Sequence, residues 1–170
     1  MISLELMSKE NSIDIYFFEK ENQKYFEQNL LPRPINYFDL EIFKEITNEL
    51  LVEQDNHEVY MHLIRDFQGV IVGRINLIVF ENDKKMAELG YRIGENYTNL
   101  GYANEAVKIV LEKAFNIYGL NRIIAGTATD NFASNKVLIK NGFIFSKIIE
   151  NDLRISKKWV HTEVFEITNL

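Results

Sequence analysis

The chain has 170 residues, enough for one domain with a substantial core, and its 46% hydrophobic and 26% charged residues match an ordinary globular balance. A formal net charge of −6 argues against a nucleic-acid partner, which selects a basic face, and is compatible with a cationic acceptor such as an amine. Cysteine is absent, so a disulfide framework, a thiolate metal site and a cysteine nucleophile are excluded.

Met1–Glu10 lacks a basic segment followed by an apolar one, and no apolar run approaches the ~20 residues that span a bilayer. The expectation is a cytoplasmic protein with no membrane partner. In chain order, Ile2, Leu4 and Leu6 alternate with polar neighbours and predict a short strand. From Asn11 to Leu30 the pattern is helical, with Ser12 as N-cap and a face of Ile13, Tyr16, Phe17, Lys20, Lys24 and Gln28. Leu31-Pro32-Arg33-Pro34 ends it, because proline lacks an N–H and restricts its predecessor. A second helix is predicted over Asp39–Gln54, its apolar face being Leu40, Phe43, Ile46, Leu50 and Leu51.

The period then changes. Val59–Ile64 and Val70–Phe80 are β-rich and joined by the turn Asp66-Phe67-Gln68-Gly69, and Met86–Ile93 follows the turn Glu81–Lys85. Tyr102–Tyr118 carries an apolar stripe of Ala103, Ala106, Val107, Val110, Leu111, Ala114 and Phe115, and Gly119 closes it. Arg122–Thr127 predicts a buried strand, Asn131–Lys140 a short helix, and Phe143–Glu150 and Trp159–Ile167 a last pair of strands around Asn151-Asp152. This order makes residues 1–170 one layered α/β (α+β) domain with a mixed sheet, and the crossover from Met86 to Thr127 requires a parallel pair.

Two stretches have the chemistry of a ligand site. Asn99-Leu100-Gly101-Tyr102-Ala103-Asn104-Glu105-Ala106 leads from a strand into a well-formed helix. The first four N–H groups of a helix have no internal partner and sit at the positive end of its dipole. Gly101 allows close backbone approach and unusual dihedrals, a combination that suits a phosphate or pyrophosphate, although a glycine before a helix is also an ordinary turn. The second stretch is Asp130-Asn131-Phe132-Ala133-Ser134-Asn135, followed by Lys140-Asn141-Gly142-Phe143. Asn131 is either a helix cap or an amide that bonds an amide-bearing ligand, and Ser134 is a candidate proton donor.

The two stretches, about thirty residues apart, occur in the order found in the GNAT superfamily of N-acetyltransferases, which the chain resembles most in its RimJ/RimL-like branch. The resembling residues are Ala87-Glu88-Leu89-Gly90-Tyr91-Arg92-Ile93, Gly101–Ala106, Asn131–Leu138, Lys140–Phe143 and the closing Trp159–Phe165. The resemblance implies a mostly antiparallel sheet of about seven strands with helices on both faces. It implies acetyl-CoA as co-substrate. Backbone N–H groups of Asn99, Leu100, Gly101, Tyr102, Ala103 and Asn104 would hold its pyrophosphate. A splayed strand carrying Leu89, Tyr91 and Ile93 would bind the pantetheine arm, with Asn131 in contact and Ser134 near the sulfur. Where the family motif has Gln or Arg, this chain has Thr98, which removes a side-chain contribution.

With no cysteine, and with the ternary complex that the resemblance implies, the expected reaction is direct attack without an acyl-enzyme. A strand N–H near Tyr91 or Arg92 would meet the oxyanion. Ser134 is the first choice to protonate the thiolate, with Tyr91, Tyr97 and Tyr102 as rivals. Glu88, on the strand face shared with Met86, Gly90 and Arg92, is either the general base or half of a surface ion pair with Arg92, and His161 is a second option. Tyr25, Phe26, Arg33, Tyr37 and Phe38 are candidates to line the acceptor pocket. His57 and His62 are too scattered for a metal site, and no metal is expected. The acceptor is read as a protein N-terminal α-amine, the alternatives being a polyamine, amino acid or antibiotic, or a non-catalytic acyl-CoA sensor. A monomer or homodimer is expected.

Overall fold

The computed structural model describes residues 1–155 and 157–169. Strand β1 (Ile2–Leu6) is followed by helices α1 (Ser12–Glu21), α2 (Gln23–Asn29) and α3 (Leu40–Asp55). Strands β2 (Val59–Asp66), β3 (Ile71–Phe80) and β4 (Asp83–Ile93) come next, and then a 3₁₀ turn over Glu95–Tyr97. Helix α4 (Tyr102–Asn116), β5 (Arg122–Ala128), α5 (Phe132–Lys140), β6 (Ile144–Ile155) and β7 (Lys158–Thr168) complete the chain. Among the described residues the strands form one seven-stranded sheet in the order β1-β2-β3-β4-β5-β7-β6. Every neighbouring pair is antiparallel except β4 and β5, the pair that the α4 crossover joins.

Period-two patterning divides the sheet between two cores. Ile75, Leu77 and Val79 of β3 and Ala87 and Leu89 of β4 face α4, which buries Ala106, Val107, Val110, Leu111 and Ala114 against them. Each such Val or Leu contributes about 1.5–3 kcal/mol. On the other face Val59, Met61 and Leu63 of β2 pack with Ile15, Tyr16, Tyr37 and Phe43 beneath α1 and α3.

The structure corrects four expectations. The predicted helix over Asn11–Leu30 is two helices meeting at Asn22, whose amide donates to the Phe18 carbonyl at 2.9 Å and accepts from the Glu95 N–H at 2.9 Å. Ser12 is not the N-cap: Asn11 holds that position, and its side chain serves the Ser8 N–H and the Leu6 carbonyl instead. The buried face runs through Ile15, Glu19, Asn22 and Phe26, while Phe17 is 62% exposed. Finally, Asn151-Asp152 is not a turn. Asn151 adopts φ +49 and donates its N–H to His161 Nδ1 at 3.0 Å, within a bulge in β6 that then pairs on to Ile155 opposite Lys158.

Candidate active site

The pairing of β4 with β5 covers only Met86, Ala87 and Glu88 against Arg122, Ile123 and Ile124. Beyond Glu88 the two strands part. β4 continues beside β3 as far as Ile93, and β5 continues beside β7 as far as Ala128. In an antiparallel pair alternate residues turn both backbone groups toward the partner. Gly94 donates to the Val72 carbonyl at 2.9 Å, so the even-numbered residues of this stretch bond β3. Leu89, Tyr91 and Ile93 therefore aim their N–H and C=O groups into the gap.

The gap opens into a cleft of about 820 Å3. Tyr91 and Ile93 line it, as do Asn99, Gly101, Tyr102, Ala103 and Asn104 of the turn into α4, and Asn131 and Ser134 at the start of α5. Nine residues singled out from the sequence are thus brought to one surface. Leu89 lies behind it in the core, and the side chain of Leu100 is 59% exposed beside it. The turn has two left-handed residues, Asn99 at φ +61 and Gly101 at φ +81. Alternation of handedness of this kind gathers successive N–H groups into an anion-binding concavity, and α4 adds its dipole. Thr98 donates its hydroxyl to the Glu95 carbonyl at 3.0 Å, which closes the preceding 3₁₀ turn.

Asn131 caps α5: its side-chain oxygen accepts from the Ser134 N–H at 3.1 Å, leaving the amide NH₂ as a donor. Asn135, one residue beyond Ser134, is fixed by Thr127 and Glu163. The Tyr91 hydroxyl is buried beside Ser134 without a well-formed hydrogen bond. Burial pushes the phenol pKa up, and the nearby serine only tempers that rise, so the proton stays on the oxygen. Glu88 is the last residue of β4 paired with β5, on the face away from α4, and more than a third of it is exposed. It does not line the cleft. Partial desolvation, with the negative charge of Asp152, raises its carboxyl above the ordinary range.

These features are a backbone-lined slot, an anion-binding turn and a protonated hydroxyl at the junction. Together they can hold a long ligand with a phosphate end and place its other end beside Ser134 and Tyr91. Residues 7–144 match the model of the acetyltransferase (GNAT) domain family. The chain belongs to the GNAT family. It is an acyl-CoA-dependent N-acetyltransferase with acetyl-CoA as co-substrate, and the slot, turn and hydroxyls fit that molecule's pantetheine, pyrophosphate and thioester. Similar proteins include the probable N-acetyltransferase YjcK of Bacillus subtilis (strain 168), 27% identical over 98% of this chain and 91% of that protein. The fold is shared with ribosomal-protein-S5-alanine acetyltransferase from Vibrio fischeri, at a TM-score of 0.91 and 19% identity over 99% of this chain and 93% of that one. It is shared as well with spermidine N-acetyltransferase from Vibrio cholerae, solved with CoA and spermine, at 0.83 and 17% over 98% and 95%.

Other residues fall elsewhere in this GNAT fold. Of the acceptor candidates, Tyr25 and Phe26 line the cleft, Tyr37 is buried in the second core, and Arg33 and Phe38 line a small neighbouring cavity. Arg92 pairs with Glu19 rather than Glu88. His161 is held by the β6 bulge, and His62 is buried with its Nε2 2.8 Å from the Tyr118 hydroxyl. Among the described residues no cluster of His, Cys, Asp and Glu suits a metal ion, and no helix is long and apolar enough to cross a membrane.

The sequence reading missed a buried charge cluster. Glu19 of α1, with 1% of its side chain exposed, receives Arg33 through two nitrogens, Arg74 Nη1 at 2.6 Å and Arg92 Nη1 at 3.4 Å. Burial alone would raise the Glu19 pKa, but Arg74, Arg33 and Arg92 outweigh it and hold it at about 2. A signal was present. Arg74 interrupts the apolar strand Ile71–Phe80, and a charge at such a position needs a buried partner.

Proposed function

We propose that the protein acetylates the α-amine of a protein N-terminus, by direct attack on acetyl-CoA, as one catalytic domain over residues 1–170. The observation that carries this reading is the charge on the cleft wall. Among the described residues its charged side chains are Arg92, Asp130 and Lys136, and the α2 segment contributes only Tyr25, Phe26, Gln28, Asn29 and Leu30. A polyamine or lysine amine, with a pKa near ~10.4, needs a strong base and nearby carboxylates. An α-amine at about 7.7–8.0 is already partly neutral and needs neither. Dependence on acetyl-CoA supports a cytoplasmic site of action.

In this reading the pyrophosphate rests on the N–H groups of Asn99, Leu100, Gly101, Tyr102, Ala103 and Asn104. Pantetheine lies along Leu89, Tyr91 and Ile93 and meets the Asn131 amide. The amine lone pair attacks the thioester carbon, and the oxyanion accepts from the β4 backbone, where each such donor is worth roughly 3–4 kcal/mol. Collapse forms the amide and breaks the C–S bond. Ser134 or Tyr91 protonates the thiolate, whose conjugate thiol has a pKa near ~8.5. The proton lost by the amine leaves through water toward Glu88. The test is thiol release from acetyl-CoA with N-terminal peptides, spermidine and amino acids as acceptors. Peptides used best support the reading, whereas spermidine used best replaces it with a small-molecule enzyme. Tight acetyl-CoA binding with no turnover on any amine would make the protein a sensor.

A further inference from the structure

Arg92 lies at the junction of the buried charge cluster and the cleft, and its charge is incompletely answered. Arg33 and Arg74 make the short contacts to Glu19. The hydrogen bonds of Arg92 found among the described residues are long, Nη1 to Glu19 Oε2 and Nη2 to the Leu31 carbonyl, each 3.4 Å. Its guanidinium stacks over the Phe26 ring at 5.2 Å and faces the cleft. The charges around it are three guanidiniums (Arg33, Arg74 and Arg92) against Glu19, and Glu27 lines the small cavity next to them. Counting that second carboxylate, three positive charges face two negative ones, an excess of one cation. Burial and the Arg33 charge pull the Arg92 pKa down to about 10, the mark of a cation lacking a full counter-charge.

We infer that Arg92 is a specificity residue that seats a carboxylate carried by the acceptor close behind its amine. A desolvated, planar guanidinium held only loosely by Glu19, on a wall whose one acidic side chain among the described residues is Asp130, binds a carboxylate well and disfavours a polycation. The overall charge of −6 does not oppose this, because the local field at the cleft wall is set by the cluster. The inference rests on the acetyltransferase reading and narrows it to acidic acceptors. The carboxylate comes either from an acidic side chain at the second or third position of a protein N-terminus or from the α-carboxylate of a free amino acid.

Initial rates with acetyl-CoA distinguish these cases. Matched peptides beginning Ala-Glu-Glu and Ala-Gln-Gln, alanine and alaninamide, and spermidine serve as acceptors. A charge-assisted contact of this kind predicts at least tenfold higher kcat/KM for the acidic peptide than for its amide isostere, expressed in KM. Arg92→Gln should erase that ratio and Arg92→Lys should retain part of it. Acetyl-CoA affinity and the melting temperature, measured on the same samples, report whether the site has kept its shape. A preference for alanine over both alaninamide and the peptides supports the carboxylate and overturns the N-terminal acceptor. Equal rates on Glu and Gln peptides together with equal rates on alanine and alaninamide, a preference for spermidine, or a ratio unchanged in a folded Arg92→Gln protein overturns the inference and leaves the acetyltransferase standing. No turnover on any amine sinks the catalytic reading beneath it as well.

Discussion

Glu19→Gln tests whether the cluster beneath the cleft holds the two halves of the fold together. Glu19 is on α1, Arg74 on β3, Arg92 on β4 and Arg33 on the segment between α2 and α3, so one carboxylate ties four segments. The substitution keeps the shape and removes the charge, leaving the Arg74 guanidinium buried without a counterion. Removing one partner of a buried ion pair costs about 3–5 kcal/mol. For a chain of this size that is a fall in melting temperature of roughly 6–20 °C. The pH dependence gives an independent estimate. The Glu19 pKa falls from 4.5 to about 2 on folding, so its stabilisation is fully present above 4.5 and is lost as pH drops toward 2. The difference corresponds to about 3 kcal/mol, in line with the mutational figure. Urea unfolding followed by circular dichroism at pH 7, 4 and 3 measures both. The wild type should lose stability over that range, and the variant should lose markedly less. Glu19→Leu combined with Arg74→Met should recover part of the loss at pH 7, since a buried pair replaced by apolar residues is often neutral or better while Arg33 and Arg92 still lose their carboxylate. A fall of under 2 °C for Glu19→Gln, or an unchanged pH slope, would refute the reasoning.

Three further outcomes concern catalysis. Gly101→Val should raise the acetyl-CoA dissociation constant at least tenfold by calorimetry. A Cβ there meets nothing within 4 Å, so the damage comes from φ +81, about 1–3 kcal/mol of backbone strain that reshapes the turn, and Gly101→Asn should be milder. Ser134→Ala and Tyr91→Phe should each lower kcat with little change in acetyl-CoA affinity; the true acid is the one whose loss removes on the order of 10²-fold, and two intact turnovers would assign that role to water. The raised Glu88 pKa predicts that kcat at saturating acceptor falls as pH drops through a value above the ordinary carboxylate range, because the base must be ionised; kcat/KM follows the free amine's own protonation as well. Glu88→Gln should abolish that limb, and a limb that persists would exclude Glu88 as the base.

Legibility differed between the two halves of the chain. Helix α4 was readable because it buries one face at a single period, and strands β2 to β4 because they are long β-rich runs bounded by turns, β2 and β3 being buried on both faces. The turn at Gly101 into α4 was readable because a glycine before a helix start is a local feature. The break at Asn22 was not, since the helical pattern runs on through it and the residue is claimed by Glu95, distant in sequence. The inward face of α1 was misread for a related reason. Glu19 looks like a solvent residue until Arg74 and Arg33 are placed against it, and its burial pulls Phe17 out to the surface. The Asn151 bulge resembles a turn by composition, and only the pairing of Ile155 with Lys158 distinguishes the two.

The parting of β4 from β5 explains why these features occur together. A sheet that opens after three pairs leaves the backbone groups of Leu89, Tyr91 and Ile93 without strand partners, a cost that a lone domain would ordinarily avoid. Something must keep the strands from closing. On one face α4 and α5 start at the mouth of the gap, and the Asn141 amide bonds the Asn104 side chain at 3.1 Å across the two helices. On the other face Glu19 draws Arg74 and Arg92 toward α1, anchoring β4 to β3 beyond the last pair with β5. The cluster that braces the open strand therefore also leaves Arg92 on the cleft wall with charge to spare. If Arg92 seats an acceptor carboxylate as inferred above, the bracing of the slot and the selection of the acceptor fall to the same guanidinium.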